Sequence, residues 1–185
     1  MSRREVQLVL LCEDAQHEAF ARRLLGEQGW VARQIRVEKA PSAKQSAEQW
    51  VRQRYPSELQ ALRRRPHIAR ALIVMVDADT NTYDERLCEL DDALRAASCE
   101  VRTPKEPVPI IVPRRNIETW IAYLGGSEVD EVTEYPKLRR ERECAPAVRQ
   151  LKAMCDSGTL RDPAPPSLQQ ACNEYRKRMP QTRSG

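Results

Sequence analysis

The stretch ALIVMVDADT, residues 71–80, decides how this chain is read. Its apolar run has the composition of a strand covered on both faces, as parallel strands in α/β proteins are. The run ends in two carboxylates one residue apart, Asp77 and Asp79. Side chains alternate along an extended backbone, so both acids point the same way at the carboxyl end of the strand. Open α/β sheets place their sites at that end. Two hard oxygen ligands held there suit Mg²⁺ or Mn²⁺, which take carboxylates together with water and substrate phosphate. A polar strand-to-helix turn, with Asp79 or Thr80 capping the next helix, accounts for the same residues without any chemistry.

Outward from this stretch, apolar blocks alternate with helical patterns, the mark of a βαβ architecture with a mainly parallel sheet. A first strand is expected over 6–12. A helix follows over 14–28, with Phe20, Ala21, Leu24 and Leu25 inward and Gly29 as its stop. Residues 35–37 read as a short edge strand. Residues 44–65 read as helical, with Trp50, Val51 and Tyr55 inward, a break at Pro56 and a restart through Leu59 and Leu62. Leu87, Leu90 and Leu94 mark the next helix, and 108–112, bracketed by Pro107 and Pro113, the fourth strand. In NIETWIAYL, Ile117, Trp120, Ile121 and Leu124 recur at helical spacing. Beyond Gly125 and Gly126 come a charged stretch, a helix over 146–156 closed by Gly158, and a last helix with a capping-box pattern at Ser167 and Gln170. The expected fold is therefore an α/β domain over 1–126, a mainly parallel four-stranded sheet flanked by helices, with a C-terminal α-helical extension over 127–185 packed on it.

The chain has 185 residues, with 31 Lys+Arg against 27 Asp+Glu. One α/β domain with a short appendage fits that length better than two domains. The formal charge of +4 permits nucleic-acid binding without demanding it. Nearly all the positive charge is Arg, whose planar fork matches phosphate, although a GC-rich genome produces the same bias. The six cysteines carry no CxxC and no His spacing, which argues against zinc and for reduced thiols in a cytoplasmic protein. The apolar run near the N-terminus stops at Glu13, so neither a signal peptide nor a membrane span is expected.

The first strand ends in CED just as the third ends in DAD, which brings Glu13 to the same sheet edge as Asp77 and Asp79. A Glu beside such a pair can serve as general acid or base for phosphoryl transfer. Alone, Glu13 is an ordinary acid near a helix N-terminus. The combination resembles the Toprim domain, shared by topoisomerases, DnaG-type primases, small OLD-type nucleases and related phage-defence proteins. In that family a Glu follows the first strand and a DxD the third, the places of Glu13 and of Asp77 and Asp79. CEDAQHEAF, residues 12–20, is similar to the VEGxTEEAF of OLD-like and stand-alone members. Glu13, Glu18, Ala19 and Phe20 match. Asp14 stands in place of the glycine, and His17 where those relatives frequently carry a metal-facing Glu. The resemblance spans about residues 5–124 and implies a Toprim-like fold, Mg²⁺ or Mn²⁺ as cofactor, and action on nucleic acid.

His17 shares a helix face with Phe20, Ala21 and Leu24, so a hydrogen-bonded, semi-buried histidine is one reading and a metal ligand or proton carrier the other. Glu18 lies about a hundred degrees round the helix and either faces the site as a ligand or is solvated. PRRNIETWI, residues 113–121, resembles an RNxE-type segment of small Toprim-like proteins. Asn116 reads as an N-cap and Glu118 as a first-turn acid, with a site role as the alternative for both. Arg114 and Arg115 would reach phosphates from the sheet edge. Lys105 is a weaker candidate for charge stabilisation. Basic clusters at 63–65, 139–142 and 176–178 are solvated faces or a nucleic-acid track. Aromatic residues are too few to argue for a base-stacking platform.

The expectation is a Mg²⁺- or Mn²⁺-dependent nuclease subunit in bacterial defence or DNA metabolism. Asp77 and Asp79 would hold the metal, Glu13 would hold or activate water, and Arg115 or Lys105 would steady the phosphate. No G-x-x-x-x-G-K-[ST] loop is present, so the ABC/OLD-type ATPase with which relatives work would be a separate polypeptide. The alternative is a non-catalytic interaction or regulatory subunit of an ATPase complex, which His17 at the altered position favours. A nucleotide-sugar transferase leaves Glu13 unexplained, and a haloacid-dehalogenase-like phosphatase needs its DxD after the first strand.

Overall fold

A computed structural model describes residues 6–42, 46–65 and 70–180. Four parallel strands form one sheet in the order β2-β1-β3-β4, with β1 Leu8–Cys12, β2 Ile35–Lys39, β3 Ala71–Met75 and β4 Ile110–Ile111. Helices α1 Ala15–Glu27, α2 Ala47–Arg64 and α3 Tyr83–Ala96 connect them, and α4 Ile117–Leu124, α5 Ala145–Ser157 and α6 Pro166–Arg178 follow β4. The expected α/β class, the parallel sheet and the C-terminal helical part are all present. None of the described helices is long and apolar enough to cross a membrane.

Strand parity sorts the core into two layers. Leu8, Leu10 and Cys12 of β1 and Ala71, Ile73 and Met75 of β3 face α1, α4, α5 and α6. Val9, Leu11, Leu72 and Val74 face the other way, against Val51, Tyr55 and Leu59 of α2 and Leu90 and Leu94 of α3. Both faces of β1 and β3 are therefore buried, which is why their sequences are continuous apolar runs. From β1 the chain crosses by α1 on one face to β2, then returns by α2 on the other to β3. The segments leaving β1 and β3 diverge to opposite faces, and open α/β sheets take their ligands in the crevice outside the carboxyl ends of the strands at such a point.

Three local expectations are corrected. Pro56 lies inside a continuous α2 rather than at a break. It cannot donate to the carbonyl one turn back, but Val51, Tyr55, Leu59 and Leu62 form one buried stripe that holds the helix through it. The fourth strand is shorter than 108–112, although the chain keeps alongside β3: Leu72, Val74, Val76 and Ala78 donate N–H groups to the carbonyls of Pro107, Pro109, Ile111 and Pro113. Prolines at 109 and 113 have no N–H to return, so only Ile110–Ile111 completes the ladder. The free edge of this strand is covered from α6, where Glu174 accepts from the Ile110 amide and pairs with Arg102 and Arg178. Ser167 does not cap α6; Pro165 is at the cap position, and the Ser167 hydroxyl accepts from Trp120 Nε1 at 2.8 Å.

Candidate functional site

Asp77 continues the Ala71–Ile73–Met75 face of β3 and so emerges towards α1. There Asp14 caps α1, its Oδ1 accepting the His17 amide at 2.8 Å. The cap places the His17 ring against the sheet edge, fully buried, with Nε2 3.0 Å from Asp77 Oδ1. The Asp77 amide in turn donates to Glu13 Oε1 at 2.6 Å. Glu13, Asp77 and His17 thus form one connected chain across the carboxyl ends of β1 and β3.

The electrostatics follow from this crowding. Burial, and then the charge of Asp77, push the Glu13 carboxyl up to about 7, against the His17 charge and the Asp77 amide, which pull it down. For His17, burial by itself lowers the imidazole. The charge and hydrogen bond of Asp77, helped by Asp14 and Glu13, overcome that and raise it to about 9. His17 Nδ1 is buried with no hydrogen-bond partner among the described residues.

Asp79 follows in a left-handed backbone, φ 53°, with its side chain 63% exposed. Burial and the Asp77 charge raise its carboxyl, while Arg86 and Arg115 pull it down. Its Oδ2 lies 3.6 Å from Arg86, and its backbone bridges that of Arg115, itself left-handed at φ 64°. Arg115 also reaches Glu134 at 3.4 Å.

Glu118, in the first turn of α4, is buried and belongs to the same acidic group. Burial raises its carboxyl, and the charges of Asp77 and Asp14 add to that. Asn116 occupies the N-cap position of α4 but makes no side-chain cap; its Oδ1 accepts weakly from Thr119 Oγ1 at 3.4 Å.

The other expected residues lie elsewhere. Glu18 turns towards β2, held by Lys39 of that strand at 2.8 Å and by Arg22, one turn along α1, at 3.0 Å. These cations overcome the effect of its burial and lower its carboxyl below the ordinary range. Lys105 is exposed in the loop entering Pro107, which pairs with the start of β3, so it sits at the opposite sheet edge from Asp77. Of the basic clusters, Arg63 is spent on Glu106 and on the Glu100 and Val101 carbonyls. Arg178 is spent on Glu174 and the Thr103 carbonyl. Arg139, Arg140 and Arg142 are exposed, and the segment carrying them borders the start of α1, Gln16 Nε2 lying 3.4 Å from the Glu141 carbonyl.

Sequence reasoning missed Arg86. It is buried, lies 3.0 Å from Glu48 as an ion pair, and donates to Glu89 at 2.6 Å and to the Ala78 carbonyl at 3.3 Å, bracing the turn that carries Asp79. The signal was available: Arg86 precedes Leu90 and Leu94 by four and eight positions, on the buried stripe of α3.

Glu13, Asp77 and Asp79 have the donor chemistry of a Mg²⁺ or Mn²⁺ site. Among the described residues, no group of three or more His, Cys, Asp or Glu is already drawn together around an ion position. His17 takes Asp77 Oδ1, the Asp77 amide takes Glu13 Oε1, and Asp79 turns to Arg86. What the arrangement offers is a carboxyl that exchanges its proton near neutrality beside the buried His17–Asp77 pair, with Arg86 and Arg115 near the neighbouring Asp79. Compared with protein-family models, curated proteins and solved structures, the chain matches none.

Proposed function

We propose that this chain is a Toprim-like subunit that hydrolyses phosphodiester bonds in nucleic acid, in bacterial defence or DNA metabolism, alongside a separate ABC/OLD-type ATPase. The observation that carries the proposal is the Glu13–Asp77–His17 chain at the crevice between β1 and β3. It supports a reading in which Glu13, held near neutrality, removes a proton from the attacking water and passes it on. His17, cationic at neutral pH, fixes Asp77 and offsets part of the acidic charge. Arg115 steadies a phosphate at the rim, and the exposed arginines of 139–142 extend that grip along the strand of nucleic acid. The test is incubation of the purified chain with plasmid DNA and with tRNA, in Mn²⁺ and in Mg²⁺, with and without the product of a neighbouring ATPase gene. Cleavage is expected with the ATPase and weak or absent without it.

The contact between His17 and Asp77 favours a second reading, a non-catalytic interaction subunit of the ATPase complex, because it occupies the carboxylate that an ion would need. Calorimetric titration with Mn²⁺ separates the two. Binding that disappears in Asp77→Ala supports the nuclease, and no binding by the wild type supports the interaction subunit.

A further inference from the structure

Outside the acidic crevice, two thiols meet. Cys155 lies in the last turns of α5 and Cys172 in the middle of α6, 17 residues apart in sequence, yet their sulfurs are 3.6 Å apart. Both are half-buried, and both line a cavity of about 390 Å³ walled by Phe20, Met75, Trp120 and Tyr175. Of the other cysteines, Cys12, Cys99 and Cys144 are buried and Cys88 is exposed on α3.

We infer that Cys155 and Cys172 are a thiol modification site, closing to a disulfide by exchange with a small disulfide such as oxidised glutathione. A bonded sulfur pair is about 2.05 Å apart, so closure needs an approach of roughly 1.5 Å between side chains already in contact. The two thiols are not equivalent. The contact between the two sulfurs lowers the Cys155 thiol and, with burial, raises that of Cys172, while Arg176 lies near both. Cys155 is therefore the attacking thiolate and Cys172 the resolving thiol. In the first step the Cys155 thiolate attacks one sulfur of the reagent, forming a mixed disulfide and expelling one glutathione thiolate. Cys172 then gives up its proton and attacks the Cys155 sulfur, forming the protein disulfide and expelling the second glutathione. Two protein thiols are oxidised and one small disulfide is reduced to two thiols.

The test treats the full chain with oxidised glutathione, alkylates the remaining thiols and maps the tryptic peptides. Cys155 and Cys172 fall in separate peptides, 153–161 and 162–176, so their linkage is read directly. The linked pair should exceed every other cysteine pairing by at least about tenfold, because its second step is intramolecular. In Cys172→Ser the glutathione adduct should persist on Cys155, whereas in the wild type it should not accumulate. Linkages spread over other cysteines, or a lasting adduct on Cys155 with Cys172 present, would overturn the assignment. The wild-type map decides the matter even if the variant does not fold.

Discussion

Asp79 and Arg115 meet as an isolated antiparallel bridge beyond the carboxyl ends of β3 and β4, and both hold left-handed backbone, φ 53° and 64°. Neither residue is glycine. Such conformations cost roughly 1–3 kcal/mol each and persist where surrounding structure fixes them. Here the Ala78 amide on the Pro113 carbonyl, and Arg86 on the Ala78 carbonyl, hold the two turns in place. The strain lies beside Asp77 and sets where the Arg115 side chain starts.

Comparing two substitutions isolates that strain. Arg115→Ala and Arg115→Gly both remove the guanidinium, but only glycine adopts the left-handed region freely. The glycine variant should be more stable than the alanine variant by about 1 kcal/mol in urea denaturation. An alanine variant of equal or greater stability would deny that the backbone is strained there.

The two aspartates should respond differently to truncation. Asp77→Ala leaves the fully buried His17 without its partner and should cost about 2–3 kcal/mol. Asp79→Ala removes a side chain that is 63% exposed and should cost no more than about 1 kcal/mol. Chemical denaturation of both variants checks this, and equal costs would mean that the His17–Asp77 contact carries no stability.

Stability should fall as pH rises, in two steps. Glu13 is raised from 4.5 to about 7, so the folded chain holds a proton that the unfolded chain releases, and the stability this gives is lost between those values. His17 is raised from 6.5 to about 9, and its contribution, complete below 6.5, is lost as pH climbs through 9. Urea midpoints measured across this range for Glu13→Gln and His17→Gln should flatten the lower and the upper step respectively. A wild-type profile that rises between 6.5 and 9 would contradict the paired imidazolium.

If the exposed arginines at 139, 140 and 142 contact phosphates, their joint replacement by alanine should weaken nucleic-acid binding uniformly across sequences. Each phosphate contact contributes about 0.9 to the slope of log affinity against log salt for duplex DNA, so the slope should become shallower by about 2–3. Anisotropy titrations at several salt concentrations measure it. An unchanged slope would assign this stretch to the solvated surface.

The sheet was legible because burial on both faces writes itself as continuous apolar runs, at 8–12 and again at 71–75. The helix face shared by His17 and Phe20 was legible too, since position on a helix follows from spacing alone. Less visible was whatever depends on a distant partner. Lys39, which draws Glu18 away from Asp77, lies 21 residues along the chain on another strand. Trp120, which takes the Ser167 hydroxyl and leaves α6 without that cap, is 47 residues from it. Tyr123 is buried while Ile121 is only partly so, because α5 and α6 both pack on α4 and its neighbours and shift the face that a single stripe predicts. Arg86 was hidden by the ordinary habit of charged helix residues to face water.

In the proposed reaction, Glu13 moves the proton of phosphodiester hydrolysis at the carboxyl ends of β1 and β3. Glu13→Gln keeps the size and the hydrogen bond from the Asp77 amide but cannot accept a proton. The decisive measurement is the rate of nucleic-acid cleavage by the wild type and this variant, each assembled with the ATPase at saturating Mn²⁺. A proton-transfer role for Glu13 predicts a fall of about 10² to 10⁴, the usual worth of general acid–base catalysis. A variant as active as the wild type would contradict it and leave the interaction subunit as the better reading.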